Sequence, residues 1–280
     1  MSHLRNLFQK SVGHRHDDLP VAVEVPAQDA NKSAQFRDIP VVEADVQHLD
    51  RIVCYTDPRG VGADRFRYLR MRLREQWNSG KLKKLLVTSP LAHEGKSTIV
   101  LNLATILSER GRSSVLVVEA DFHHASLLDQ LRVSSWPGLD QCLADCLDPM
   151  SSIRRVEPLG WYLLPAGGPT ENASELLQSH ALSAVMQRVI PHYDWILVDS
   201  PPVLPLTDAL LLRQQTDASL LVVRAGRTPA DCVAEAIELL GRQCIAGIVL
   251  NGAESSESRY SEYGYYYPKN GRENRRRDER

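Results

Sequence analysis

Three short runs carry residue types that could do chemistry on a phosphate: Gly95-Lys96-Ser97, the acids Glu119 and Asp121, and Asp199. In Leu85 to Leu103 (LLVTSPLAHEGKSTIVLNL) a short apolar strand enters a loop, which runs through Gly-Lys-Ser into an amphipathic helix beginning near Thr98. That order suits a triphosphate. The loop and helix start, His93, Glu94, Gly95, Lys96, Ser97 and Thr98, aim backbone donors at phosphate oxygens. Lys96 adds a full positive charge near the β and γ groups, and Ser97 offers its hydroxyl to Mg2+. The consensus G-x-x-x-x-G-K-[ST] has glycine where Pro90 stands, and such loops often carry another where His93 stands. Histidine tolerates positive φ better than most residues, so a wrapped loop is still accessible. The plain alternative is a strand-to-helix turn that contains GKS by chance.

The acids complete the pattern. Ser114 to Glu119 (SVLVVE) is continuously apolar, as a strand buried on both faces must be, and it ends in Glu119-Ala120-Asp121. Two carboxylates then stand at a strand's carboxyl edge, where open parallel sheets keep their ligands. Trp195 to Val198 (WILV) runs into Asp199-Ser200-Pro201-Pro202, and a rigid strand ending in aspartate is the second half of a nucleotide site. Ser97, Asp121 and Asp199 are the expected metal contacts. Lys96, Glu119, Asp121 and Asp199 are the expected catalytic set.

The elements that must position these groups alternate. Strands at 161–164, 219–224 and 246–250 and helices at 125–132, 139–147, 174–189, 206–215 and 229–241 imply a doubly wound α/β domain with a mostly parallel sheet. We place this P-loop domain at 81–252. Residues 1–50 are polar and without periodicity, and read as a flexible leader. Residues 51–80 hold an arginine-rich amphipathic helix: Phe66, Leu69 and Leu73 share one face, while Asp64, Arg67 and Arg70 line another. That charged face is either solvated or a contact with a neighbouring subunit. Residues 253–280 form a charged tail in which Tyr260, Tyr263, Tyr265, Tyr266 and Tyr267 fall within eight residues.

Composition excludes several classes. A formal net charge of −2 argues against nucleic acid as a partner, and no apolar run is long enough to span a membrane. Five cysteines, Cys54, Cys142, Cys146, Cys232 and Cys244, are scattered without a CxxC pair, which fits reduced thiols in a cytoplasmic protein.

Together the loop AHEGKST, the strand ending in EAD, VDSPP at Val198 to Pro202, the Asp64/Arg67/Arg70 helix and the tyrosine tail resemble the cytoplasmic kinase domain of bacterial tyrosine kinases. These are P-loop proteins of capsule and exopolysaccharide synthesis and export. The resemblance covers roughly residues 50–268. It implies ATP and Mg2+ as cofactors, and phosphorylation of Tyr260, Tyr263, Tyr265, Tyr266 and Tyr267 on a neighbouring subunit. It also implies a ring-like homo-oligomer joined through Asp64, Arg67 and Arg70, and a phosphotyrosine phosphatase that reverses the modification. A separate membrane-spanning activator of the chain-length regulator type is the implied recruiter to the inner face of the membrane. Asn251 is either an adenine contact or a strand-end turn residue. The family's D-x-D-x-R appears here as Glu119, Asp121 and His123. A non-catalytic, ATP-dependent regulator of the export machinery is the second reading. An ATPase of the chromosome-partition type is disfavoured, because Leu91 occupies the position of its signature lysine.

Overall fold

Eight strands share one sheet: β1 (Val41–Glu43), β2 (Lys84–Thr88), β3 (Val115–Glu119), β4 (Arg154–Glu157), β5 (Trp161–Leu164), β6 (Trp195–Asp199), β7 (Ala218–Arg224) and β8 (Ile245–Asn251). Their spatial order is β1-β4-β5-β3-β6-β2-β7-β8, and every pair is parallel except β4 with β5. This computed structural model describes residues 39–253 other than 169, 171, 179 and 205.

The centre of the sheet is the part the sequence marks most strongly. All five residues of β3 and of β6 are buried, which is the environment that continuous Val, Leu and Ile runs require. Register then does the positioning. Val87 pairs with Asp199 and Asp199 with Glu119, so the ends of β2, β6 and β3 lie side by side. The turn after β2 leads into the helix Lys96–Ser108, which buries Ile99, Val100, Leu103, Ala104 and Leu107 in the core. A fully buried leucine of this kind contributes about 2 kcal/mol. Losing several of them would detach the helix that carries the phosphate loop.

The helix Val61–Asn78 lies against the Lys96–Ser108 helix with Leu73 buried and Phe66 and Leu69 packed on the core, on the face predicted. Near its end Trp77 stacks on the buried Trp195 at the start of β6, with ring centroids 6.0 Å apart, and donates its indole N–H to the Asp194 carbonyl at 3.0 Å. The other side of the same helix leaves Val61, Tyr68 and Met71 exposed.

Three expectations change. The segment expected to be leader through residue 50 instead supplies β1 and a short turn of helix, Val46–His48, to this domain. β1 escapes a periodicity search because it is three residues long and sits at the sheet edge, with Val41 and Glu43 exposed. β4 was likewise unforeseen, since its RRVE sequence carries one buried position, Val156. The single helix expected at 174–189 is two, Ala173–Gln178 and His180–Val189.

Candidate nucleotide site

The loop from Ser89 to Gly95 wraps back on itself through two residues with positive φ, His93 at 62° and Gly95 at 91°. Histidine thus takes the left-handed conformation the sequence left open to it. A side chain at Gly95 is disfavoured twice, by the positive φ and because a Cβ there would lie 2.2 Å from Asn251 Nδ2, which would have to move. Asn251, the last residue of β8, uses that same nitrogen to donate to the Glu94 carbonyl at 2.8 Å. The side chain of Glu94 turns inward, accepting from the Thr228 hydroxyl, and burial raises its pKa. Through this bond Asn251 holds the loop at the strand end.

In front of the loop is a cavity of about 390 Å3 walled by His93, Gly95, Lys96, Ser97, Thr98 and Asp121, together with Arg51, His124, Ser126, Gln130 and Pro202. Lys96 is buried at 8 % exposure. Asp121 Oδ1 accepts from the His124 amide at 3.0 Å, which fixes its carboxylate at the cavity wall. Asp199 lies beneath at 1 % exposure. Burial lifts its carboxyl to about 7, opposed by the Ser97 hydrogen bond and the Lys96 charge and reinforced by Glu119 and Asp121. Asp199 Oδ1 has no hydrogen-bond partner. A buried carboxylate oxygen left in that condition is costly unless a cation or an ordered water meets it.

Glu119 does not reach the cavity. Its Oε1 accepts from the amides of Ser126 and Leu127, both at 2.7 Å, and its Oε2 from the Ala166 amide at 3.1 Å. Both oxygens are spent on holding the start of the helix Leu127–Leu131 and the segment after β5, so the expected catalytic role gives way to a structural one. His123 also turns aside, with Nε2 3.0 Å from Asp208 Oδ2.

The arginine face has partners inside the chain. Arg67 bonds Asp64 and the Pro58 carbonyl. Arg70 reaches Glu109 at 3.2 Å and the Ile106 carbonyl at 3.3 Å, and Arg74 reaches Glu109 at 2.7 Å. The tail with Tyr260, Tyr263, Tyr265, Tyr266 and Tyr267 lies outside the described residues.

No family model matches this chain. It is 27 % identical over 217 residues to the tyrosine-protein kinase YwqD of Bacillus subtilis, covering 77 % of this chain and 90 % of that one. It is 28 % identical over 240 residues to the succinoglycan biosynthesis transport protein ExoP of Rhizobium meliloti, covering 80 % of this chain and 30 % of that much longer one. The solved kinase domain of the Escherichia coli tyrosine kinase ETK superposes with a TM-score of 0.68 at 26 % identity, covering 73 % and 82 % of the two chains. The chain is thus similar to bacterial tyrosine kinases and shares the fold of their kinase domains.

In this fold the residues present fit a magnesium nucleotide. Among the described residues no cluster of three or more His, Cys, Asp or Glu could cage a metal alone. Magnesium held through one hydroxyl, buried carboxylates, water and substrate phosphates needs no such cage. The partnerless Asp199 Oδ1 beside Ser97 meets that requirement. Arg51, His124, Ser126 and Gln130 escaped the sequence reading because they carry no local motif and reach the cavity only through the tertiary fold.

Proposed function

We propose that this chain is an ATP-dependent protein-tyrosine kinase whose acceptors are Tyr260, Tyr263, Tyr265, Tyr266 and Tyr267 on a second copy. The observation that carries this reading is one cavity walled by the Lys96 loop and Asp121 above a buried Asp199, opening beside a second cavity of about 550 Å3 that shares Arg51, Ser126 and Gln130 with it. The first has room for the terminal phosphates, and the second gives an acceptor side chain an approach to them. Ser97 and Asp199 would hold Mg2+, which would supply charge neutralisation on the phosphates.

The chain's own groups do the rest. Loop amides and Lys96 hold the phosphates in line with the acceptor. Asp121 takes the phenolic proton as the tyrosine oxygen forms its bond to the γ-phosphorus. The bond from phosphorus to the bridging oxygen breaks, and its electron pair leaves with ADP. With Glu119 committed to three amides, Asp121 is the base.

The reading extends to assembly and placement. Asp64, Arg67 and Arg70 were expected to make the contact between subunits, yet each already has a partner or is tied to one within the chain. The exposed Val61, Tyr68 and Met71 of the same helix supply a better adhesive surface for a ring-like homo-oligomer. Among the described residues no helix is long and apolar enough to cross a membrane. Similarity to the succinoglycan biosynthesis transport protein ExoP supports a role in exopolysaccharide or capsule export, and the same reading takes in recruitment from the cytoplasm by a separate membrane-spanning activator and reversal by a phosphotyrosine phosphatase.

The test mixes a Lys96→Met chain, which keeps its tyrosines, with a chain whose five tail tyrosines are phenylalanine, in the presence of Mg-ATP. Phosphotyrosine on the Lys96→Met chain supports transfer between copies. Nucleotide binding by the wild-type protein with no phosphotyrosine on any tail removes the kinase reading and favours the non-catalytic regulator.

A further inference from the structure

Arg51 stands where the two cavities meet, lining both the one that contains Lys96 and Asp121 and the one beside it. The neighbouring arginines are committed: Arg67, Arg70, Arg72 and Arg74 each face a carboxylate. Among the described residues Arg51 has no such ion pair. Asp50 and Asp129 share the second cavity with it, and Asp121 the first.

Its backbone is held to the phosphate-binding helix. Asn102, in the second turn of Lys96–Ser108 and 1 % exposed, donates Nδ2 to the Arg51 carbonyl at 2.8 Å and accepts from the Cys54 amide at 3.1 Å. A third bond, to the Thr98 carbonyl at 2.9 Å, completes the amide. A buried asparagine amid apolar helix positions is unfavourable unless its amide is satisfied. Here it is satisfied by clamping the segment that presents Arg51.

We propose that Arg51 is a catalytic residue that contacts the γ-phosphate from within the same chain. Lys96 is the one lysine or arginine between Thr88 and Thr98, and Leu91 offers no second charge. As the bond to the bridging oxygen breaks, charge spread over the γ-phosphoryl oxygens is met by a planar guanidinium whose fork matches phosphate geometry. Arg51 gives and takes no atom in the step. Asn102 is its positioning residue. The inference rests on the kinase reading for its rate effect, and on nucleotide binding alone for its effect on affinity.

Calorimetry on the full chain with Mg2+ compares ADP with a non-hydrolysable ATP analogue. Arg51→Ala leaves ADP affinity within about twofold of wild type and weakens the analogue by about tenfold or more, the size of a lost charge-assisted contact. Tail phosphorylation falls at least about 100-fold, and Arg51→Lys recovers part of both losses. Asn102→Leu reduces the preference for the analogue over ADP with Arg51 still present. Should Asn102→Leu not fold, the two Arg51 variants decide. Equal weakening of ADP and analogue, or no change in either, overturns the proposal. A wild-type protein that binds the analogue yet makes no phosphotyrosine removes the kinase reading, while the comparison of ADP with analogue still decides the role of Arg51.

Discussion

Asn251 Nδ2 lies 2.8 Å from the Glu94 carbonyl and at the spot a Cβ on Gly95 would enter. One side chain at the end of β8 thus fixes the back of the phosphate loop and occupies the space a side chain at its last residue would need. Gly95→Ala forces the asparagine aside and places alanine at a φ of 91°. We expect Mg-ATP affinity to fall by about 100-fold or more, with thermal stability lowered by a few degrees. Asn251→Ala removes the bond without the clash, and should cost about tenfold in affinity by the same calorimetry. An unchanged affinity in both variants would show that the loop holds its shape unaided.

Asp199 predicts a pH dependence with a definite sign. Its folded value of about 7 stands above the ordinary carboxylate value, so protonation favours the folded state. In protein without nucleotide or metal, that contribution is fully present below about pH 4 and is lost as the pH rises towards 7. Asp199→Asn keeps the shape and removes the charge. Its melting temperature should match wild type near pH 4 and exceed it at pH 8, by a free energy on the order of 2–4 kcal/mol. Magnesium nucleotide reverses the preference, because it needs the carboxylate: wild-type affinity for Mg-ATP should rise with pH through 7 while Asp199→Asn stays weak. A melting curve for Asp199→Asn that parallels wild type at every pH would sink this account.

Glu119 and Asp121, two residues apart in the sequence, should separate in experiment. Glu119→Ala leaves the amides of Ser126, Leu127 and Ala166 without their acceptor and should destabilise the fold by on the order of 3 kcal/mol or more, read by denaturant unfolding. Asp121→Asn should leave stability within about 1 kcal/mol and lower the phosphorylation rate by about 100-fold or more. The opposite pattern would return the catalytic role to Glu119.

The helix Val61–Asn78 offers a test of assembly. Tyr68→Asp together with Met71→Asp should reduce the mass seen by light scattering and leave Mg-ATP affinity within about twofold, since neither residue approaches the cavity. Arg70→Ala should act on stability instead, by about 1 kcal/mol, through loss of the Glu109 and Ile106 contacts.

The central fold was legible because its signals are local. β3 and β6 are unbroken apolar runs, each ending in acid, and the parallel sheet follows from the alternation around them. Phe66, Leu69 and Leu73 gave the buried face of their helix by spacing alone. The features that escaped depend on distant partners. Arg51 belongs to the site because Asn102, 51 residues away, holds its carbonyl. Glu119 looked like a metal or base residue because its type and place on β3 say so, whereas its work is decided by three amides that no spacing rule brings near. β1 is too short and too exposed to announce itself, and only its pairing with β4 makes it part of the sheet.

The stacked indoles of Trp77 and Trp195 give the protein an optical signature of its own. Two such chromophores 6.0 Å apart and 22° from parallel couple their transitions, so circular dichroism near the indole bands reports whether the end of the Val61–Asn78 helix is seated on β6. That band reads the link between the exposed helix face and the strand that ends in Asp199 without any label. Its loss on mixing with a binding partner would mean the helix end had left its seat, and its persistence would mean the partner had docked on the helix as it stands.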